Sequence, residues 1–283
     1  MKRLLCLGLV CLGALAHAGE AVPASPPPGP VRNELPLWEL GVFGVGISQL
    51  AYPGADQQVR RGLVLPYVVY RGEVLRADDD GAGLRAVRTD NFELDVSVSG
   101  RFGAGSKALQ AREGMRRLGT LVEFGPVGRW FLNGRTARDR LTFEMPVRGV
   151  FDAGDRLRHQ GLIVEPELGL ERRARPGQWG YSISASALLG DRRLASTFYA
   201  VAPGEALPDR PAYEARSGLV AWRLGGSLMR ELTPDLRVIA FGRLESVAGA
   251  ANRASPLVRQ TTGYTYGIGL AYVFSRSTAR ASD

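Results

Sequence analysis

The sequence predicts an all-β protein: an antiparallel barrel of the transmembrane type found in the outer membrane, with about 12 strands in a range of about 10 to 14. Three observations predict it. Apolar and polar residues alternate along much of the chain, as in FELDVSVSG, LTFEMPVRG and GYTYGIGLAYVF, and a period of two belongs to a strand that shows different faces to different media. After the N-terminal leader no apolar run reaches the roughly 20 residues that a membrane-spanning helix needs, so membrane entry requires a closed barrel, in which every backbone group is paired. The joins between strands alternate between short and long, as they do when turns gather at one end of a barrel and loops at the other.

The leader is MKRLLCLGLVCLGALAHA, with Lys2 and Arg3 ahead of an apolar run from Leu4 to Ala16 and small residues at Ala16 and Ala18. It reads as a secretory signal peptide over residues 1–18. Val10 before Cys11 is a poor lipoprotein context. Both cysteines, Cys6 and Cys11, fall inside this leader, so the predicted mature chain has no disulfide and no thiolate ligand. Removing Lys2 and Arg3 lowers the net charge from +8 to +6. That charge is spread along the chain and carried almost wholly by arginine, which gives no clustered basic face and excludes a nucleic-acid partner. Residues 19–36 contain VPASPPPGP, whose composition predicts an extended periplasmic spacer. Residues 37–274 form the predicted barrel, and 275–283 a short polar tail.

The predicted strands follow in order. The first, 38–50, opens on Trp38 and contains GVFGVG, which faintly resembles a phosphate loop but has no helix after it; glycines relieving crowding inside a barrel strand account for it better. The second spans 60–71, and two short strands follow at 73–78 and 83–88. In 92–102, Phe92, Leu94, Val96 and Val98 alternate with Glu93, Asp95, Ser97 and Ser99. A strand at 119–131 leads through Asn133-Gly134 to 139–151, where Leu141, Phe143, Met145 and Val147 alternate with polar neighbours. In 162–173, Val164, Pro166, Leu168 and Leu170 face away from Glu165, Glu167 and Glu171; in 178–189, Tyr181 and Ile183 face away from Ser182 and Ser184. Strands at 216–230 and 236–248 flank Thr233-Pro234. The last, 262–274, sets Tyr264, Tyr266, Ile268, Leu270, Tyr272 and Phe274 against Thr, Gly and Ala, with the aromatic face toward lipid. Long connections at 103–118, 190–215 and 249–261, and a middling one at 152–161, share one end.

Trp and Tyr collect where strands cross lipid headgroups. The assignment puts Trp38, Trp130, Trp179, Tyr272 and Phe274 at the turn-end rim, while Trp222 falls mid-strand, outside the pattern. Strand parity points Glu93, Asp95, Glu123, Arg129, Glu144, Arg148, Glu165, Glu167 and Arg223 into the lumen. There they either pair across the interior and close it or line a narrow aqueous path, and ion pairing is the favoured alternative in a barrel of this size.

No catalytic residue is predicted. Once the leader is removed, His159 is the one histidine left, in a predicted loop near Asp152 and Asp155 with no serine in a nucleophile motif beside it. One histidine without cysteine also lacks the usual zinc ligand sets, so neither a metal nor a cofactor is expected.

Five stretches carry a resemblance to a known family: SQLAYPGADQQVRRGLVLPYVVYRGEVLRADDDG, AREGMRRLGTLVEFGP, LLGDRRLASTFYAV, PDRPAYEARSGLVAWRLGGSLMREL and SPLVRQTTGYTYGIGLAYVF. Together they span nearly all of 37–274 and resemble the MipA/OmpV outer-membrane proteins in order and spacing. The resemblance implies the outer membrane of a Gram-negative bacterium, and a scaffold between a lytic transglycosylase and a penicillin-binding protein in cell-wall assembly. A narrow small-solute or ion channel is the alternative. Asp191, Arg192, Arg193, Asp209, Arg210 and Tyr213 match recurrent family positions and are expected to hold loop structure. The terminal strand ending at Phe274 resembles the signal read by the barrel assembly machinery, although SRSTARASD follows it.

Overall fold

The computed structural model describes residues 36–71, 75–78, 81–101, 109–172 and 178–279; the predicted leader and nearly all of the Pro-rich segment lie outside them. The alternating stretches form strands β1 (Trp38–Leu50), β2 (Gln58–Arg71), β3 (Leu75–Asp78), β4 (Gly81–Arg88), β5 (Phe92–Arg101), β6 (Leu121–Phe131), β7 (Asp139–Asp152), β8 (Arg158–Val164), β9 (Glu167–Arg172), β10 (Gly180–Gly190), β11 (Gly218–Thr233), β12 (Leu236–Ser246) and β13 (Thr262–Arg276). One helix, α1 (Arg192–Tyr199), interrupts them. Among the described residues no helix is long and apolar enough to cross a membrane.

Neighbouring strands pair antiparallel, and the ring closes between β1 and β13. The pairs β8 to β7 and β10, and β9 to the same two strands, put β8 and β9 end to end in one position. The result is a closed antiparallel barrel of 12 strand positions. Closure gives every strand a neighbour on each side, as a sheet in lipid requires; the short β3 meets β2 only at Tyr70–Ala77 and Arg71–Arg76, near the turn end.

The outer surface is apolar. Val64, Phe124, Ile183, Leu224, Leu244 and Ile268 are all exposed on outward positions, while the intervening residues of β13 are mostly buried. Trp130 lies between Phe92 and Phe143, with ring centroids 4.9 and 5.6 Å away. At the same turn end Trp179, Tyr272 and Phe274 are exposed, and the Arg230 guanidinium lies 5.7 Å from the Trp179 ring. Amphipathic rings at that level suit the boundary between headgroups and acyl chains.

Several expectations change. Trp222 is not mid-belt: it pairs with Ser246, which pairs with Thr262, one step from the loop end. The reason is that β11 runs down to Thr233, so Trp222 belongs to the opposite rim, the one that also carries Tyr264 and Tyr266. The predicted strand 162–173 breaks at Glu165-Pro166, because Pro166 has no N–H for the ladder; its carbonyl still accepts from Ala187 N at 3.1 Å. Gly44 and Gly46 relieve no crowding, since a Cβ on either would meet nothing within 4 Å. Gly41 is the tight one: a Cβ there would run into the Tyr272 carbonyl at the β1 to β13 bulge.

The strand after Phe274 also continues. Leu40 and Glu39 pair with Ser275 and Arg276, Ser277 N donates to Trp38 O, and Leu37 N donates to Ala279 O, both at 2.9 Å. The first residues of the predicted tail therefore close the seam of the barrel.

Candidate functional site

The interior is filled in two layers. At the loop end, segments from around the ring converge on one apolar core. Its centre is α1, capped at the N-terminus by Asp191, whose Oδ1 accepts from Leu194 N at 2.8 Å. Such a cap satisfies an amide that the first helical turn leaves open. The helix presents Leu194, Ala195, Phe198 and Tyr199 to Tyr52, Val150, Ile163, Leu188 and Val220. Gly161, at φ +136, lets it approach: a Cβ there would collide with Asp191 Oδ1 and come within 2.5 Å of Leu194 N.

Hydrogen bonds tie the cap to the other loops. Tyr52 Oη donates to Leu257 O at 2.7 Å, Tyr199 Oη to Pro53 O at 3.0 Å, and Ser255 Oγ to Tyr199 O at 2.7 Å. Arg112 donates to Phe198 O at 2.9 Å. Its guanidinium lies 5.9 Å from the Tyr52 ring, and burial lowers its pKa from the ordinary arginine value.

Burial pushes the Tyr52 phenol up to about 12, against a smaller opposing pull from Arg112. The folded cap thus holds this proton more tightly than the unfolded chain does. Its contribution is complete below pH about 10 and is lost as pH climbs through about 12, a difference of about 3 kcal/mol. Limited proteolysis of the 191–217 segment across that window is expected to accelerate in the wild type. In Tyr52→Phe the acceleration is smaller, on top of a neutral-pH loss of about 1 kcal/mol for the missing hydrogen bond.

The six loop positions that the resemblance singles out lie in this cap, and five of them make contacts within it. Arg192 pairs with Glu214 at 3.2 Å, and Arg193 Nη1 lies 3.1 Å from His159 Nδ1. Arg210 is buried and donates to the carbonyls of Glu205, Ala111 and Glu113. Tyr213 forms a bridge with Val201 and reaches Asn252 Oδ1 at 3.4 Å. Asp209 is exposed in the turn between Leu207 and Arg210.

His159 is not in a loop. It belongs to β8, against the Phe151 ring at 5.4 Å, because the β7 to β8 connection is only Ala153 to Leu157. Its turn puts Arg156 and Leu157 at φ 51 and 55, and Arg158 N donates to Asp155 O at 2.9 Å. Glycine or asparagine normally marks such a primed turn.

Below the cap lies a lattice of charge. Arg223 donates through Nη1 to Glu165 and through Nε to Glu245, each at 2.8 Å, with all three side chains under a tenth exposed. Ser186 Oγ also donates to Glu165, at 2.8 Å. Glu123 accepts from Ser99 at 3.0 Å and from Arg148 at 3.5 Å, and Arg148 Nε donates to Ser97 at 3.3 Å. Arg129 meets Glu144 at 2.6 Å. Glu93 is directly opposite Arg129 in the ladder and forms an ion pair with Arg135 at 2.7 Å. Asp95 and Glu167 lie on β5 and β9 and are half-buried.

Parity reasoning left out several members of this lattice. Arg140 pairs with Glu171 at 2.5 Å, and Arg237 reaches Glu231 at 3.2 Å and Glu39 at 3.6 Å. Glu171 and Glu245 were open to the same parity rule. Arg135 was not, because it folds in from the 132–138 turn, its guanidinium 4.5 Å from the Phe131 ring.

A closed barrel with an apolar outer belt, aromatic rims and an interior of buried ion pairs is a membrane-spanning β-barrel. The model of the family described as MltA-interacting protein MipA matches residues 40–274, so the chain belongs to that family. No curated protein sequence matches it significantly.

Proposed function

We propose that this protein is a non-catalytic outer-membrane barrel that works through its ends, as a docking scaffold for a lytic transglycosylase and a penicillin-binding protein. The observation that carries the reading is the packed interior: among the described residues an apolar cap lies over a lattice of buried ion pairs, which turns attention from the lumen to the end surfaces. The family description, which names an MltA interaction, supports the choice of partner. In this reading the end where β1 begins, β13 ends and the short turns lie faces the periplasm, where cell-wall enzymes work. That end presents exposed Leu132 and Leu232 beside the paired charges Asp139 to Arg172 and Asp235 to Arg276.

A photo-crosslinking residue at Leu132 is expected to capture the transglycosylase in cells, and the same residue at the loop-end position Gly204 is expected to capture neither enzyme. Capture from Gly204 alone would overturn the reading. The narrow-channel alternative draws on the same inward charges, but their arrangement in opposite-sign contacts favours closure.

A further inference from the structure

The loop end is strongly basic, and the scaffold reading makes no use of that. Among the described residues of this end ten arginines are exposed against five exposed carboxylates. Every one of these cations is an arginine, whose planar fork matches a phosphate with two parallel hydrogen bonds and is less tightly hydrated than an ammonium.

Their position matters more than their number. Arg60 is exposed on the outward face of β2, in the ladder row that runs through Ser48 to Tyr266. Tyr266 and Tyr264 are exposed on the same outer surface with their rings stacked at 5.9 Å. Arg60 therefore lies at the level of the aromatic rim, where headgroups meet the apolar belt.

A second group stands on the far side of the ring, β2 and β8 being six positions apart in a ring of 12. Arg158 opens β8, exposed Arg156 stands at the hairpin tip, and Arg193 reaches across from α1 to His159. Exposed Leu157 and Leu162 flank this group, so it too borders the belt. The acids on this side are engaged: Asp155 with Arg158 at 3.0 Å, Asp152 with Gly154 N at 2.9 Å, Asp191 as the cap of α1, and Glu214 with Arg192.

We propose that the loop-end arginines form a collar that binds the phosphate groups of anionic lipid headgroups around the mouth, with Arg60 on one side and Arg156, Arg158 and Arg193 on the other. The lipid is the source of the phosphate because both groups border the apolar belt, where an acyl chain and its headgroup are held together. The inference rests on the membrane-spanning fold and not on the scaffold reading, so a failed crosslink leaves it standing.

The test uses the full chain refolded in phosphatidylcholine vesicles, with spin-labelled phosphatidylglycerol or spin-labelled phosphatidylcholine as the probe for lipid held at the protein surface. The wild type is expected to prefer phosphatidylglycerol by about fivefold or more, the effect of roughly one well-placed arginine near a surface. The preference should shrink as salt screens exposed charge, and millimolar inorganic phosphate should not remove it. R60Q combined with R156Q, R158Q and R193Q should bring the ratio near one, while R88Q with R138Q at the other end should leave it unchanged. A wild-type ratio near one, a preference insensitive to salt, or a preference that survives the quadruple substitution overturns the proposal. Loss to free phosphate would instead assign the arginines to a soluble anion.

Discussion

Replacing Arg223 with alanine is expected to destabilise the barrel by about 3 to 5 kcal/mol, the cost of breaking a buried ion pair by removing one partner. Two carboxylates are involved. Glu165 and Glu245 both accept from this guanidinium at 2.8 Å, with side chains 8% and 3% exposed. Ser186 can still donate to Glu165, but a hydroxyl carries no charge to oppose a second carboxylate nearby. Thermal or urea midpoints of the detergent-folded protein, read by the heat-dependent gel shift of folded barrels, report the loss.

Two companions separate charge from packing. Glu144→Gln removes a more exposed partner, since the Arg129 to Glu144 pair has side chains 11% and 25% exposed, and should cost about 1 kcal/mol. A triple variant with apolar residues of similar volume at 165, 223 and 245 should recover most of the stability, because a buried ion pair can often be replaced as a unit. A triple variant as weak as Arg223→Ala would mean that the lattice contributes by shape and not by charge.

The second large effect is expected from Gly161→Val. At φ +136 a β-branched residue is strained, and its Cβ would strike Asp191 Oδ1 and Leu194, the cap and first apolar anchor of α1. A side chain in such a region costs about 1 to 3 kcal/mol before any clash. Because α1 is held mostly by its packing against the barrel wall, the expected result is local: the cap lifts while the strands stay paired. Trypsin should then cut after Arg192 or Arg193 about 100-fold faster, as an opening about 3 kcal/mol easier allows. Gly204, with nothing within 4 Å of a built Cβ, is the control; Gly204→Ala should leave cleavage unchanged. Equal cleavage in both variants would show that the helix does not depend on Gly161.

The contrast between these two sites shows what could be read from the chain. Strands were legible because a half-buried strand writes its period directly into the residues: β1 and β5 begin where the alternation begins, at Trp38 and Phe92. Alternation likewise put Arg223 on the side away from the apolar face, and the residue is buried. Its partners were not legible, since the register that sets Arg223 opposite Glu245 depends on how every strand in between is paired. The hairpin at Arg156 and Leu157 was hidden because its left-handed residues are neither glycine nor asparagine, so His159 read as loop when it is strand. The helix α1 was hidden for a different reason: eight residues give little periodic signal, and its apolar face finds its partners only once four loops have met. Arg135 illustrates the limit of parity altogether, a turn residue that reaches Glu93 in the interior.

Closure of the barrel interior by the cap and the ion-pair lattice together is the reading to test first. Single-channel recording of the refolded wild-type protein in a planar bilayer, beside a gel that shows the heat-dependent shift of a folded barrel, reads it. A folded barrel and a silent bilayer are expected. Discrete conductance steps from a protein that passes the gel test would contradict it and make the inward carboxylates the lining of a pore.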